Sequence, residues 1–496
     1  MDPVGKTIGT MTSPAHELID RLRIQLGVAY VLTADTPDAL AAYEKDWRGR
    51  ERGQALCVVR PNCAAEVAAI VRACAEAREQ GLNVSIVPQG GNTGLVMGST
   101  PDDSGLQVVL SLQRMNRVRG LDAANLTITV DAGCILQNVQ QAARDAGFLF
   151  PLSLAAEGSC TIGGNLGTNA GGTQVLRFGN TRDLCLGLEV VTAQGELLAG
   201  LTGLRKDNTG YDLRHLMIGS EGTLGIITAA TMKLVPLPAA SLRAWAALPS
   251  LQAASYLLGL AQKKLASSLT GFEVMGQFAL SLVVKHFPQQ KMPLWPGSSQ
   301  DAPYCVLLEL SDAENEQHAR AMLEALMENA LELEMISDAV ISENIAQAKA
   351  LWHIRESIPL AQAQEGLNIK HDISLPVSRI AAFCDTTDAL LREAISGVRL
   401  VNFGHLGDGN LHYNVQCPEG GNVQNFLRDH EAQINKIVYD SVLLHGGSIS
   451  AEHGVGSLKR DELPHYKSGV ALSMMRSIKL ALDPQGLLNP GRVVSV

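Results

Sequence analysis

The sequence predicts an α+β chain in two unlike parts. A glycine-rich first domain of short strands and long polar loops precedes a second α+β domain with an antiparallel sheet and few glycines. Three observations carry this prediction. At 496 residues the chain exceeds what one ordinary core supports, so roughly two to four domains are expected. Three glycine-rich loops interrupt the strand pattern before residue 226. Pro236 and Pro238 then mark a boundary, beyond which strands alternate with helices. The expected division is residues 1–50 for a tail and first helix, 51–240 for the loop-bearing domain, 241–475 for the second domain, and 476–496 for a segment that packs back on the first.

Taken in order, residues 1–14 are expected to form a disordered tail. Leu18, Leu22 and Leu26 recur at helical spacing and predict a helix over 16–26. A strand at Ala55–Val59 is ended by Pro61. Asn62 is a candidate cap for a helix carrying Val67, Ile70, Val71 and Cys74, which Gly81 terminates. Strands follow at 84–87, 108–112 and 126–130, and a helix at 135–146 ends at Gly147. Further strands are expected at 186–192 and 225–234, and then, past the boundary, at 242–247 and 304–310. A helix is expected at 312–329. Residues 244–262 are uncharged but contain Pro249, Ser250, Gln252 and Ser255, so they read as strand, turn and helix rather than a membrane span.

Composition removes several function classes. The chain is 46% hydrophobic and 18% charged, which is globular. Its net charge of −10 argues against nucleic-acid or anionic-membrane binding. Nine scattered cysteines form no Cys-x-x-Cys pair, as expected of a reduced cytoplasmic protein, and no iron–sulfur spacing is present. Residues 1–14 hold no apolar core of signal-peptide length.

The loops carry the first functional signal. Pro88-Gln89-Gly90-Gly91-Asn92-Thr93-Gly94-Leu95 follows a strand directly. Glycines permit close backbone approach, and successive N–H groups can ring a pyrophosphate, although an ordinary turn is an equal reading. The loop is neither Gly-x-Gly-x-x-Gly opening a helix nor a Lys-Ser/Thr phosphate loop. Residues 157–172 hold six glycines in sixteen positions. So long a polar loop is entropically costly unless a ligand orders it. A third loop, Gly219-Ser220-Glu221-Gly222-Thr223-Leu224-Gly225, leads into a strand. Three such loops suggest an extended dinucleotide.

His405 and His412 stand seven residues apart in Gly404-His405-Leu406-Gly407-Asp408-Gly409-Asn410-Leu411-His412. Imidazole is the commonest zinc ligand, and a glycine-rich turn lets two rings converge, but two unrelated surface histidines have the same spacing. Ser450-Ala451-Glu452-His453-Gly454 supplies a carboxylate beside another imidazole. Together the motifs raise the case for a two-histidine, one-carboxylate metal site with open positions. Arg355 offers a planar fork for a carboxylate and Lys370 a compact charge; the plainer reading pairs Arg355 with Glu356 or a helix neighbour on a solvated face.

In combination these stretches, with residues 205–212, 450–460 and Leu487-Leu488-Asn489-Pro490, resemble the FAD-binding family typified by vanillyl-alcohol oxidase. Within it they are most similar to D-2-hydroxyglutarate dehydrogenases and their D-lactate and glycolate relatives. The resemblance spans about residue 50 to the end. It implies a two-part FAD-binding domain of vanillyl-alcohol oxidase type and an α+β substrate- and metal-binding cap domain. Around FAD it implies Pro88, Gly90, Gly91, Asn92, Thr93, Gly94 and Leu95, then Gly158, Thr161, Gly164, Asn165 and Thr168, and also Glu221, Gly222, Ile226 and Asn489. Some relatives attach FAD through a histidine in the first loop. None lies between Pro88 and Gly98 here, so the flavin is expected to be non-covalent.

By the same resemblance His405, His412 and Glu452 are metal ligands and His453 is the general base. Arg355 and Lys370 hold a substrate carboxylate remote from the hydroxyl, and Asn414 is a further substrate contact. The implied reaction is oxidation of D-2-hydroxyglutarate, with loss of the hydroxyl proton and transfer of the Cα hydride to flavin N5. D-malate, D-lactate and glycolate are alternatives, as is, from another class, a metal-dependent hydrolase or transferase with a structural flavin. Relatives often carry a hydroxyl residue four positions after the arginine; here it is Pro359. Zinc suits the mixed nitrogen and oxygen ligands, with manganese or iron as alternatives. An electron-transfer flavoprotein or a quinone is the expected electron acceptor, and a homodimer the default assembly.

Overall fold

The computed structural model describes residues 13–35, 38–49, 51–294 and 302–496. Most of the tail expected at 1–14 lies outside them. Pro14 itself opens the first helix, Pro14–Leu26, whose Ser13 Oγ accepts the His16 N–H. Proline at the first helical position loses no hydrogen bond there.

Two sheets build the first domain around a large core, and a small cluster of Leu40, Val58, Val87 and Val109 packs separately from it. In the first, strands Ala55–Val59 and Ser85–Gln89 run parallel on either side of Gln107–Ser111, and the short strand Val31–Leu32 adds antiparallel at the edge. Helix Ala64–Glu79 makes the crossover and buries Val67, Ile70, Val71 and Cys74. Its N-cap is Cys63 rather than Asn62, and the Asn62 N–H instead donates to Glu66. The second sheet is antiparallel, with strand order Val118–Asp122, Thr127–Asp131, Ile226–Lys233, Cys185–Val191, Leu197–Gly200.

The glycine-rich stretch 157–172 is not loop throughout. Helix Ile162–Thr168 forms inside it, with Thr161 Oγ1 capping Gly164 N–H and Asn169 in the left-handed region at φ 53°. A short cap-to-cap turn satisfies backbone donors that a free loop would leave to water. Residues 487 and 488 join the first core as fully buried leucines, and Ile86 exchanges backbone hydrogen bonds with Leu487 and Asn489. Buried Lys479 ties helix Gly469–Leu482 to the third loop by donating to the Thr223 carbonyl, and it also binds Asp483 and the Leu488 carbonyl.

The second domain is one antiparallel sheet with helices on both faces. Its path runs Asp338–Ile341, Ala240–Leu248, Tyr304–Asp312, Leu269–Gly276, Arg399–Gly404, Asn410–Gln416, Asn368–Ile369, and Asp372–Ser374 also pairs with Asn410–Gln416. The helix expected at 312–329 begins later, at Glu316, because Asp312 still belongs to its strand. Side chains alternate across the sheet. Along Ala240–Leu248, Leu242, Ala244 and Ala246 enter the larger core, whereas Trp245 enters a smaller one with helices Gln277–His286 and Ile345–Glu365. The same alternation sends Val274, Leu411 and Tyr413 into the larger core. Their neighbours Glu273, His412 and Asn414 therefore face the other side, where the first domain meets the sheet. Among the described residues, no helix is long and apolar enough to cross a membrane.

Candidate active site

A cavity of about 1080 Å³ lies between the two domains and is lined by both. All three glycine-rich loops reach it. Pro88, Gly90, Gly91, Asn92, Thr93, Gly94 and Leu95 line it from the first loop; Gly158, Thr161, Gly164, Asn165 and Thr168 from the second; Glu221, Gly222 and Ile226 from the third. Asn489 does not line it. Its side-chain amide stands behind the loops and donates to the carbonyls of Gly98 and Glu221.

Two kinds of glycine make the loops. A Cβ on Gly90 or Gly91 would collide with Thr161 Oγ1 or the Ser159 carbonyl, so these two let the first and second loops nest. A Cβ on Gly94 or Gly167 would meet nothing within 4 Å, which leaves their backbone open to a ligand. Asn165 Nδ2 and Gln89 Oε1 are buried on this cavity without a hydrogen-bond partner. Buried polar atoms are rarely left so, and a polar cofactor lying against these loops would satisfy them.

At the other end His405, His412 and Glu452 present ligand atoms within 4.8 Å of one another. His405 Nδ1 bonds Glu273 Oε1 at 2.6 Å, leaving Nε2 for the cluster. Burial opposes charge on His405, yet Glu273 raises its pKa to about 9; burial pushes His412 down to about 3. Asp372, Glu452 and His453 satisfy the same distance criterion. The Asp372 oxygens are already engaged: Oδ2 accepts the N–H groups of Glu452 and His453, and Oδ1 accepts Asn410 Nδ2. The first trio is the better ion site on those grounds.

Two carboxylates clasp the domains together here. Glu452 Oε1 accepts the Gly172 N–H at 2.6 Å, and Glu221 accepts the Val455 and Gly456 N–H groups at 2.7 and 2.8 Å. Glu221, on the third glycine-rich loop, therefore holds the turn that carries Glu452 and His453.

Arg355 is buried, not on a solvated face. Its Nε donates to Glu273 Oε2 at 2.8 Å, and its guanidinium lies 4.8 Å from the Phe403 ring centroid. Burial works against the Glu273 charge, but His405 and Arg355 outweigh it and hold its pKa at about 2. Asn414 is pinned between Gln362 Oε1 and the His371 N–H. Arg355, Asn414, His405, His412, Glu452 and His453 all line the cavity, as does exposed Lys370. So does Pro359, inside helix Ile345–Glu365, where it denies the Arg355 carbonyl the usual amide donor. Sequence reasoning missed Glu273 and Asp372. Neither sits in a glycine-rich motif, and the one local signal for Asp372 is that it stands two residues after Lys370.

Comparison with known proteins gives this arrangement its family. Residues 55–200 match the FAD binding domain model, and residues 237–493 match the C-terminal domain of FAD linked oxidases. The chain belongs to the FAD-linked oxidase family. It is 40% identical over 473 residues to the D-2-hydroxyglutarate dehydrogenase of Xanthomonas citri pv. viticola, covering 95% of this chain and 96% of that one. The mitochondrial D-2-hydroxyglutarate dehydrogenase of Bos taurus is 38% identical, covering 92% and 80%. Crystalline p-cresol methylhydroxylase superposes with a TM-score of 0.77 at 16% identity, covering 98% of each chain, which establishes the vanillyl-alcohol oxidase type of fold. This member of the family is thus an FAD-dependent oxidoreductase, and the alternative of a hydrolase with a structural flavin drops out.

Proposed function

We propose that this chain oxidises D-2-hydroxyglutarate to 2-oxoglutarate as an FAD- and metal-dependent dehydrogenase. The observation that carries the reading is the meeting, in one cavity, of the flavin loops, the His405/His412/Glu452 trio, His453 and the buried cation of Arg355. The likeness to D-2-hydroxyglutarate dehydrogenases supports the choice of acid.

His405, His412 and Glu452 would hold the divalent ion, zinc by our reading of its ligands with manganese or iron as alternatives, and the loops at 88–95, 158–168 and 221–226 would hold non-covalent FAD. When bound, FAD supplies the acceptor for the Cα hydride at N5, and the ion supplies charge that lowers the hydroxyl pKa. His453 takes the hydroxyl proton. Asp372 fixes its ring from behind, with His453 Nδ1 3.4 Å from Asp372 Oδ2. Arg355 and Lys370 bind the carboxylate remote from the hydroxyl, and Asn414 adds a polar contact. Reoxidation by an electron-transfer flavoprotein or a quinone, a homodimer, and a reducing compartment such as the cytoplasm complete the reading. The last is supported by nine free cysteines.

Anaerobic mixing of the flavin-loaded protein with D-2-hydroxyglutarate, D-malate, D-lactate or glycolate, with and without a chelator, tests this. D-2-hydroxyglutarate should bleach the flavin at the lowest concentration, and chelation should abolish bleaching. Equal efficiency with D-lactate would refute the diacid reading. Undiminished bleaching after complete metal removal would refute the ion's role.

A further inference from the structure

Glu273 hydrogen-bonds both the cation proposed for substrate binding, Arg355, and a residue of the proposed ion site, His405. It lies on strand Leu269–Gly276, is fully buried, and faces the cavity side of the sheet. One oxygen accepts His405 Nδ1–H at 2.6 Å and the other accepts Arg355 Nε–H at 2.8 Å. Both partners are themselves nearly excluded from solvent, with side-chain exposures of 9% and 7%. Phe403 packs along the same line: its ring centroid is 4.8 Å from the Arg355 guanidinium carbon and 4.8 Å from the His412 ring centroid.

We propose that Glu273 is a positioning residue that locks the carboxylate-binding arginine to the ligand histidine, so that one side chain sets both ion affinity and preference for a diacid. This rests on the functional reading above. The physical reason lies in donor counting. Two N–H donors, His405 Nδ1–H and Arg355 Nε–H, approach Glu273 from opposite sides, and only a carboxylate has an acceptor at each end. Holding the proton on His405 Nδ1 keeps the Nε2 lone pair available for the ion. Engaging Arg355 through Nε fixes the guanidinium plane and leaves its terminal nitrogens for a substrate carboxylate. The separation between the ion and that fork is then set by a single rigid link rather than by two mobile side chains.

An amide at this position fails one donor whichever way it is turned. If its oxygen meets Arg355, its NH₂ meets His405 Nδ1 and drives the proton to Nε2, where the ion should bind. If it is reversed, two donors face each other at Arg355.

The test compares flavin-loaded wild type, Glu273→Gln, Glu273→Asp and Arg355→Met. The first readout is zinc affinity, measured by chelator competition. The second is the ratio of kcat/KM for D-2-hydroxyglutarate over D-lactate. Glu273→Gln should retain its flavin spectrum, weaken zinc binding by about tenfold or more, and lower the substrate ratio mainly through KM for the diacid. Glu273→Asp should recover part of both. Arg355→Met is not a ligand change, yet it should weaken zinc binding several-fold because Glu273 loses one of its two anchors; this arm decides the matter even if neither Glu273 variant folds. Wild-type zinc affinity in Arg355→Met, or in Glu273→Gln where it folds, overturns the proposal. Wild type that binds zinc but shows no diacid preference overturns the substrate reading instead, and the zinc arms still decide the role of Glu273.

Discussion

The Asp372 carboxylate lies 3.4 Å from His453 Nδ1 and accepts the backbone N–H of the same residue at 3.0 Å. One buried anion therefore holds the His453 backbone and stands beside its ring, and it also accepts the Glu452 N–H. Burial disfavours its charge, but His453, His412 and Lys459 outweigh this and keep its pKa well below the ordinary carboxylate range.

Replacing that anion should uncouple the base from its orientation. Asp372→Asn offers one acceptor where three N–H groups and an imidazole now converge. We expect flavin to stay bound while anaerobic flavin reduction slows by about 100-fold, the lower end of what a well-placed general base contributes. Stopped-flow absorbance at saturating D-2-hydroxyglutarate measures it. Wild-type rates would remove Asp372 from the mechanism.

The two classes of loop glycine should separate folding from cofactor binding. Gly91→Ala places a methyl against the Ser159 carbonyl and forces the first two loops apart. Both flavin content and the melting temperature should fall. Gly94→Ala meets no protein atom within 4 Å, so the flavin-free protein should melt as wild type does while FAD affinity drops. Flavin fluorescence titration with thermal melts of the stripped proteins distinguishes the two.

Acid should release one charged knot at the end of helix Ile345–Glu365. Glu365 bonds Lys285 Nζ at 2.6 Å, His286 Nε2 at 2.8 Å and Arg399 Nη1 at 2.7 Å. Burial would raise its pKa, but these partners lower it to about 2. A depressed carboxylate pKa stabilises the fold above the unfolded-state value, near 4.5, and that stabilisation fades as pH falls toward 2. Glu365→Gln should therefore melt several degrees lower than wild type at neutral pH, with the gap closing between those two values. A gap constant across that range in pH-dependent thermal melts would show that the charge does not contribute.

The chemistry was legible in the sequence because it is written in local runs. Residues 88–95, 157–172 and 219–225 are rich in glycine, and the runs at 404–412 and 450–454 each place imidazole and carboxylate side chains within a few residues of one another. Those runs raised the case for a dinucleotide and a metal cluster, and the family resemblance they carry implied the flavin, the ligand trio and the Arg355 and Lys370 pair. The helix Ile162–Thr168 was hidden by its own glycines, whose poor helix propensity is overridden by the Thr161 cap and tertiary packing. Asn489 was placed against the cofactor by its motif, and the fold puts it behind the loops.

What only the tertiary structure decided is which acids serve which bases. Glu273 reaches His405 across 132 positions of sequence and Arg355 across 82. Glu221 reaches Val455 across 234, and Glu452 reaches the Gly172 N–H across 280. No spacing rule spans such separations, because sheet register and domain docking set them, and both depend on the whole core. The sequence by itself determined the kinds of group this protein brings to a 2-hydroxy acid. The fold determined that a single buried carboxylate, Glu273, links Arg355 to His405, and that Glu221 and Glu452 each tie a turn of one domain to the other.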